Sequence, residues 1–463
     1  MKIININTRK LTILILVILT MNSCSSFVEV DLPKSQLTTS GVFESYPTAE
    51  AALTDIYGKI RDKGILAGIN SGLSNTLGNY SDEMAAYGTP SNQALNFYNN
   101  TLLPTNSVVT DYWNTAYNQI YAANSIIESA EASAYLTTEN KKVLRGEALF
   151  IRALSHFYLV NLFGDIPYIK QTGYKENSLV IRTLATEVYQ NIIADLENSI
   201  LLLPATYTTP ERIRPNRNTA KALLARTYLY TGAYAKAVEE ASSLLSQTDI
   251  FSLVKNINQV FLINSKETIW QLKSSSTGVN TKEGATFILP SGPPSLIAMR
   301  TDFSDSFSID DLRKTSWIKS VSNGTSKWYF PYKYKERNAT STSVEYSIVF
   351  RLAEQYLIRA EAKAQLGDLT GAKDDINVIR HRAGLSDVNA MTKEEVLLAI
   401  LQERKWEFFT EYGHRFFDLK RFNKIDNVLS VLKLGWNTSD RLFPIPQTEI
   451  GTNPNLRPQN PGY

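Results

Sequence analysis

Two groups of carboxylates have the spacing that acid–base chemistry would need. Asp82 and Glu83 are adjacent, and Glu403, Glu407 and Glu411 recur every four residues within ERKWEFFTEYGHRFFDLKR. On a helix that interval places one carboxylate per turn along one face. Glycoside hydrolysis needs only two such groups, one protonated as acid and one ionised as base or nucleophile. The second group is surrounded by Arg404, Arg415 and Arg421. A neighbouring arginine lowers a carboxyl pKa and keeps the group ionised, which suits an ion network better than a general acid. The stretch is read as structural, with a surface glycosidase as the minor alternative.

Other chemistries lack their residues. His156, His381 and His414 are far apart and make neither HExxH nor a spaced ligand pair. Each falls in or at the end of a predicted helix and is read as a hydrogen-bonded structural residue. There is no GxSxG elbow, no GxxxxGK[ST] loop and no GxGxxG turn. No cofactor, no catalytic metal and no catalytic residue are assigned.

Binding chemistry is better represented. Two long polar stretches, residues 68–106 and 274–342, are rich in Ser, Asn, Gly and Thr and carry many aromatic rings. Connections of this length are usually functional, and their aromatic content argues against disorder. Sugar rings present apolar C–H faces that lie on aromatic rings, while amides, carboxylates and guanidiniums bind the hydroxyls. The first candidate set is Asp82, Tyr87, Asn96, Phe97 and Tyr98; the second is Trp317, Trp328 and Tyr329. Trp113, Trp270 and Trp406 fall inside scaffold patterns and are assigned to the core.

Helices must position these stretches. From Leu144, Ala148, Ile151, Ser155, Tyr158 and Leu162 form one helical stripe. Thr392 with Glu395 is a capping box opening the helix that carries the spaced glutamates. Ala225–Ala237 (ARTYLYTGAYAKA) and Ala360–Ala372 (AEAKAQLGDLTGA) share a pattern in which Gly232 and Gly367 are each followed five residues later by alanine. A helix, a glycine turn and a second helix with a small residue at the crossing is the tetratricopeptide pattern. The two copies lie 135 residues apart, which suggests a packed helical scaffold with irregular insertions rather than a continuous array. A short strand is expected at Thr268–Leu272.

The 463 residues are 43% hydrophobic and 20% charged, an ordinary globular balance. The net charge of +3 comes from Lys2, Arg9 and Lys10, and the remainder is neutral. Neutrality argues against nucleic acid as the main partner, because phosphate binding draws on excess positive charge. Those three bases precede an apolar run from Leu11 to Met21, about half of a bilayer span. Residues 1–23 are therefore read as a secretory signal. The lone cysteine, Cys24, cannot form an internal disulfide. Met21-Asn22-Ser23-Cys24 resembles a bacterial lipobox, which implies acylation of Cys24 and an outer-membrane lipid anchor. Glu29 and Asp31 just behind it resemble signals for display on the exterior face.

Longer motifs point to one family. EALFIRALSHFYLVNLFGDIPY (Glu147–Tyr168), WNTAYNQIYAANSIIE (Trp113–Glu128), INVIRHRAGL, the Glu403–Phe422 stretch and the closing LFPIPQTEIGTNPNLRPQNPGY occur in the order seen in SusD/RagB-type outer-membrane lipoproteins. Lys405 replaces an arginine of that pattern and Tyr412 a small residue. The resemblance implies a mainly α, tetratricopeptide-like scaffold with long irregular insertions and a few short strands. It implies an N-terminal region over 24–235 and a C-terminal region over 265–463, packed as one integrated domain. It also implies a binding protein rather than an enzyme, a lid on a SusC-like TonB-dependent transporter that captures oligosaccharides, or peptides in RagB-like members. The matched motifs are mainly scaffold and transfer no ligand contacts.

Overall fold

The Ser107–Ala132 and Thr138–Phe163 helices begin at side-chain caps. Asn106 Oδ1 accepts from the backbone N–H groups of Val108 and Val109 at 3.0 and 3.2 Å, and Thr137 Oγ1 accepts from Asn140 N at 3.2 Å. Each cap satisfies backbone donors that the first helical turn leaves unpaired. The stripe from Leu144 to Leu162 is buried, but so is almost every other residue from Gly146 to Phe163. That helix is covered all round, with Ser107–Ala132 on one side and Ala185–Leu202 on another.

These elements come from a computed structural model that describes residues 39–463. The signal segment and Cys24 lie outside the described residues. The chain divides into two units, Met1–Val42, whose described part is the short helix Thr39–Val42, and Phe43–Tyr463. The second unit is mostly helical, with six short strands.

Within it the helices stack in succession. Ala185–Leu202 packs on Arg217–Tyr230, which packs on Tyr234–Leu245; that helix packs on Leu352–Leu366, which contacts both Leu369–Arg382 and Lys393–Phe408. Gly232 and Gly367 sit at the two turns with φ of +74° and +93°, a left-handed conformation that costs glycine no steric penalty. Ala237 and Ala372 are fully buried at the helix crossings. The tetratricopeptide reading therefore holds locally, and so does the packed helical scaffold with an irregular insertion between the copies. The chain between Leu245 and Leu352 loops out and returns, so the two repeats are neighbours in space. The capping box also forms, with Glu395 N on Thr392 Oγ1 at 3.2 Å and Thr392 N on Glu395 Oε2 at 3.0 Å.

The strands lie in the insertions. Strand β2 (Thr268–Leu272) pairs antiparallel with β6 (Ser347–Arg351). A four-stranded antiparallel sheet takes β1 (Met84–Ala86) from the first insertion and β3 (Ile297–Met299), β4 (Ile318–Ser322) and β5 (Lys327–Pro331) from the second, in the order β1-β3-β5-β4. Residues 210 or more apart are thus joined edge to edge, Met84 opposite Met299 and Ala86 opposite Ile297. One face of this sheet lies on a core of Met84, Ile297, Met299, Phe303, Trp317 and Phe409. Trp270 and Trp113 are buried, as expected, whereas Trp406 is half-buried against that cluster.

Candidate functional site

The sheet brings the two aromatic insertions into one place. Tyr87 directly follows β1, and its backbone N–H donates to Leu296 O at 2.7 Å, extending the pairing with β3 by one bond. Asn92 then pins the turn. Its Nδ2 donates to Tyr87 O and Leu296 O at 2.7 and 2.9 Å, and its Oδ1 accepts from Ala94 N at 3.1 Å. The short helix Ala94–Tyr98 follows. Lys433 reaches in from the C-terminal region, donates to Asn79 O and Tyr98 O, and lies 4.0 Å from the Tyr98 ring centroid. Burial pushes its ammonium down to about 7, helped by Arg300, so two carbonyls and a ring hold it in place of a carboxylate.

Beside Asn92 a cavity of about 380 Å³ opens between Asn70, Ser71, Ser91 and Gln93, over the apolar side chains of Val108 and Leu296. A polar uncharged rim over an apolar floor matches the two-sided chemistry of a sugar ring. At the other end of β3 from Leu296, Arg300 is held by Asp302 through two hydrogen bonds of 2.9 and 2.6 Å. Trp328 and Tyr329 on β5 are both half-buried. Trp328 packs directly on Gly292, where an added Cβ would fall 2.2 Å from Trp328 Cε3, so only glycine admits the indole there. Lys327 lies 5.0 Å from the Tyr329 ring centroid.

Three of the sequence candidates are corrected by their placement. Phe97 has no exposed surface and meets Tyr80 and Phe443 edge-on at 6.2 and 5.9 Å. Trp317 is likewise fully buried, with its indole N–H donating to Ile257 O at 3.0 Å. Asp82 is 5% exposed, and both carboxylate oxygens are taken by Arg415 at 2.8 Å. Burial raises its pKa, but the Arg415 charge outweighs that and holds the carboxyl below the usual range. Phe97 contributes to the apolar lining of the cavity beside Asn92, Trp317 belongs to the core cluster under the sheet, and Asp82 anchors the segment before β1. Tyr87, Asn96, Tyr98 and Trp328 are half-buried at the surface, whereas Tyr329, also half-buried, packs on the core cluster on the other side of the sheet. Asn92 and Arg300 lie inside the two polar stretches and could have been singled out as polar groups there; nothing local marks Lys433.

The spaced glutamates form an ion network, with partners other than those expected. Glu407 is met by Arg313, Arg351 and Arg382, Glu403 by Arg313 and Arg380, and Glu411 by Lys333 and Arg351. Arg404, Arg415 and Arg421 pair instead with Asp418, Asp82 and Glu361. Burial pushes Glu407 up, but three guanidiniums outweigh it and hold the carboxyl well down. At Glu403 burial wins and the pKa is raised, against expectation. Arg313 and Lys333 belong to the second insertion, so this network fixes that insertion to the Lys393–Phe408 helix. Glu83 is a different case: burial and the neighbouring Asp82 charge push its carboxyl to about 8, and Oε1 has no hydrogen-bond partner.

The histidines are spread across the fold. His156 accepts from Ile169 N at 3.3 Å, stacks on Tyr168 at 3.8 Å, and burial lowers its pKa to about 3. His414 lies 3.3 Å from Arg404, and His381 pairs with Asp387 at the surface. Among the described residues no three His, Cys, Asp or Glu side chains gather as a metal site. No described helix is long and apolar enough to cross a membrane.

Comparison with known proteins follows this architecture. The SusD family model matches residues 265–463, and a second, described as "Starch-binding associating with outer membrane", matches residues 27–229. The chain belongs to the SusD family. SusD-like protein P2 of Formosa agariphila is 27% identical, with the alignment covering 98% of this chain and 99% of the relative. A SusD superfamily structure from Bacteroides vulgatus superposes with a TM-score of 0.79 at 24% identity, covering 90% of this chain and 99% of the other. Surface glycan-binding protein A of Bacteroides thetaiotaomicron, solved in complex with laminarihexaose, has a TM-score of 0.76 at 19% identity, covering 89% and 99%.

Proposed function

We propose that this chain is a surface glycan-binding lipoprotein that captures oligosaccharides on the sheet face and releases them chemically unchanged. The observation that carries the reading is the placement of Tyr87, Tyr98 and Trp328 around one four-stranded sheet, with a cavity rimmed by uncharged polar side chains at the Tyr87 turn. Aromatic platforms beside amide and hydroxyl groups suit a ligand with apolar faces and many hydroxyls. The laminarihexaose complex of the structural neighbour supports the ligand class. Asp82, Glu403, Glu407 and Glu411 are engaged by arginine and lysine, which supports binding without hydrolysis; Glu83 is a buried carboxyl without an ion pair among the described residues.

Delivery to a SusC-like TonB-dependent transporter belongs to the same proposal. So does anchoring of the chain outside the cell through acylated Cys24, in keeping with the outer-membrane description of the matched family. Cys24→Ala should move the protein from the membrane fraction to the soluble fraction; retention in the membrane would contradict the anchor. A parallel binding screen of neutral oligosaccharides and peptides tests the ligand class. Saturable binding of oligosaccharides is expected, and binding of peptides alone would replace this reading with peptide capture.

A further inference from the structure

A second groove shares no lining residue with the cavity beside Asn92. Its volume is about 540 Å³, and it runs between the Ser107–Ala132 helix, the segment from Pro167 to Val180 and the C-terminal stretch from Glu449 to Leu456. Trp113, Tyr117 and Tyr121 recur every four residues and therefore line up along one helix face, about 6 Å apart along the axis. Trp113 is the buried end of the row, with Tyr117 on it at 4.9 Å between ring centroids and Tyr117 Oη donating to Pro167 O at 2.8 Å. Tyr121 is 55% exposed, and Tyr174 on the opposite wall is 85% exposed. Two tyrosine rings left in water on facing walls of one groove are surface that a ligand can cover.

The polar groups of the groove are of one kind. Asn114 and Asn118, one turn apart on the same helix, are exposed, and neither side-chain amide bonds to the protein among the described residues. Asn177 and Ser178 face them from the second wall. No lysine, arginine or histidine lines the groove, and its single acid, Glu449, has no ion-pair partner among the described residues. A uronate or sulfate would meet that carboxylate directly, whereas Arg182, whose charge is felt at Tyr117, lies outside the lining. Hydroxyls would meet amides that can both donate and accept.

We propose that this groove is a second saccharide site, specific for uncharged oligosaccharides, with Tyr121 and Tyr174 as ring platforms and Asn114 and Asn118 as hydroxyl partners. The ligand class rests on the glycan reading of the sheet face; the location and the preference for uncharged sugars do not.

Titration calorimetry of the purified chain with maltohexaose, laminarihexaose, cellohexaose and an oligogalacturonate tests it, using the Tyr121→Ala/Tyr174→Ala double variant and Trp328→Ala in parallel. Both tyrosines are exposed, so the double variant should fold, which its thermal unfolding midpoint checks. The expected result is two sites per chain for a neutral hexasaccharide, one of which weakens about tenfold or more in the double variant while the other stays. The groove should give no oligogalacturonate binding. One site per chain, lost in Trp328→Ala and untouched in the double variant, would overturn the groove and leave the sheet face standing. Binding lost only in the double variant would uphold the groove and overturn the sheet face. No heat with any saccharide would overturn both, as would capture of a protein partner through Tyr121 and Tyr174 with no sugar bound.

Discussion

The carboxylate of Asp82 meets the guanidinium of Arg415 side-on, with one oxygen on Nε and the other on Nη2, each at 2.8 Å. The two residues are 333 positions apart and both are buried. The pair ties the start of the first sheet strand to the His414–Arg421 helix, and so fixes the edge of the four-stranded sheet to the helical scaffold.

Arg415→Met should lower stability by about 3 kcal/mol, because it leaves the Asp82 charge buried with only Lys405, 3.7 Å away, to offset it. The double change Arg415→Met with Asp82→Leu should recover much of that loss, since the uncompensated charge is then gone. Denaturant unfolding of both variants measures this; an unchanged midpoint in Arg415→Met would contradict the anchoring role.

Glu83 gives a pH dependence with a definite sign. Its carboxyl stands at about 8 in the folded chain, raised by burial from an ordinary value of 4.5. Between those values the folded chain holds a proton that the unfolded chain has released, so this residue's contribution to stability falls as pH rises across that window. Glu83→Gln keeps the shape and removes the titration. Unfolding free energies measured at about pH 5 and about pH 8 should fall more steeply in the wild type than in the variant. Equal slopes would show that Glu83 titrates normally.

Trp328 separates platform from packing. It is half-buried on Gly292, and Trp328→Ala should weaken oligosaccharide binding at the sheet face by about 1–3 kcal/mol, by analogy with stacking on bases. Titration with the tightest-binding neutral hexasaccharide reads this directly. Unchanged affinity with a lowered thermal midpoint would assign the indole to packing.

The scaffold was readable because its signals are local. Gly232 and Gly367 mark turns, Thr392 and Glu395 cap one helix end, and the short run Thr268–Leu272 forms the expected strand. The site was only partly readable because its decisions are made at a distance. Phe97 and Tyr98 are adjacent aromatics, yet one faces inward because Tyr80 and Phe443 receive it, and Phe443 lies more than 300 residues away. Trp317 looks like a surface platform in sequence and is buried because Phe261 and Phe409 close over it. Glu407 shows the same limit for charges. Nearby arginines on its own stretch looked like partners, but Arg313, Arg351 and Arg382 are the ones that later folding brings to it.

The central claim is capture without conversion, and one measurement addresses both halves. The purified chain is titrated with neutral oligosaccharides by calorimetry, and the sugar is then recovered and its mass determined. Saturable heat with the sugar returned at its original mass is the predicted result. Shortened fragments, or peptides that titrate where no sugar does, would contradict it.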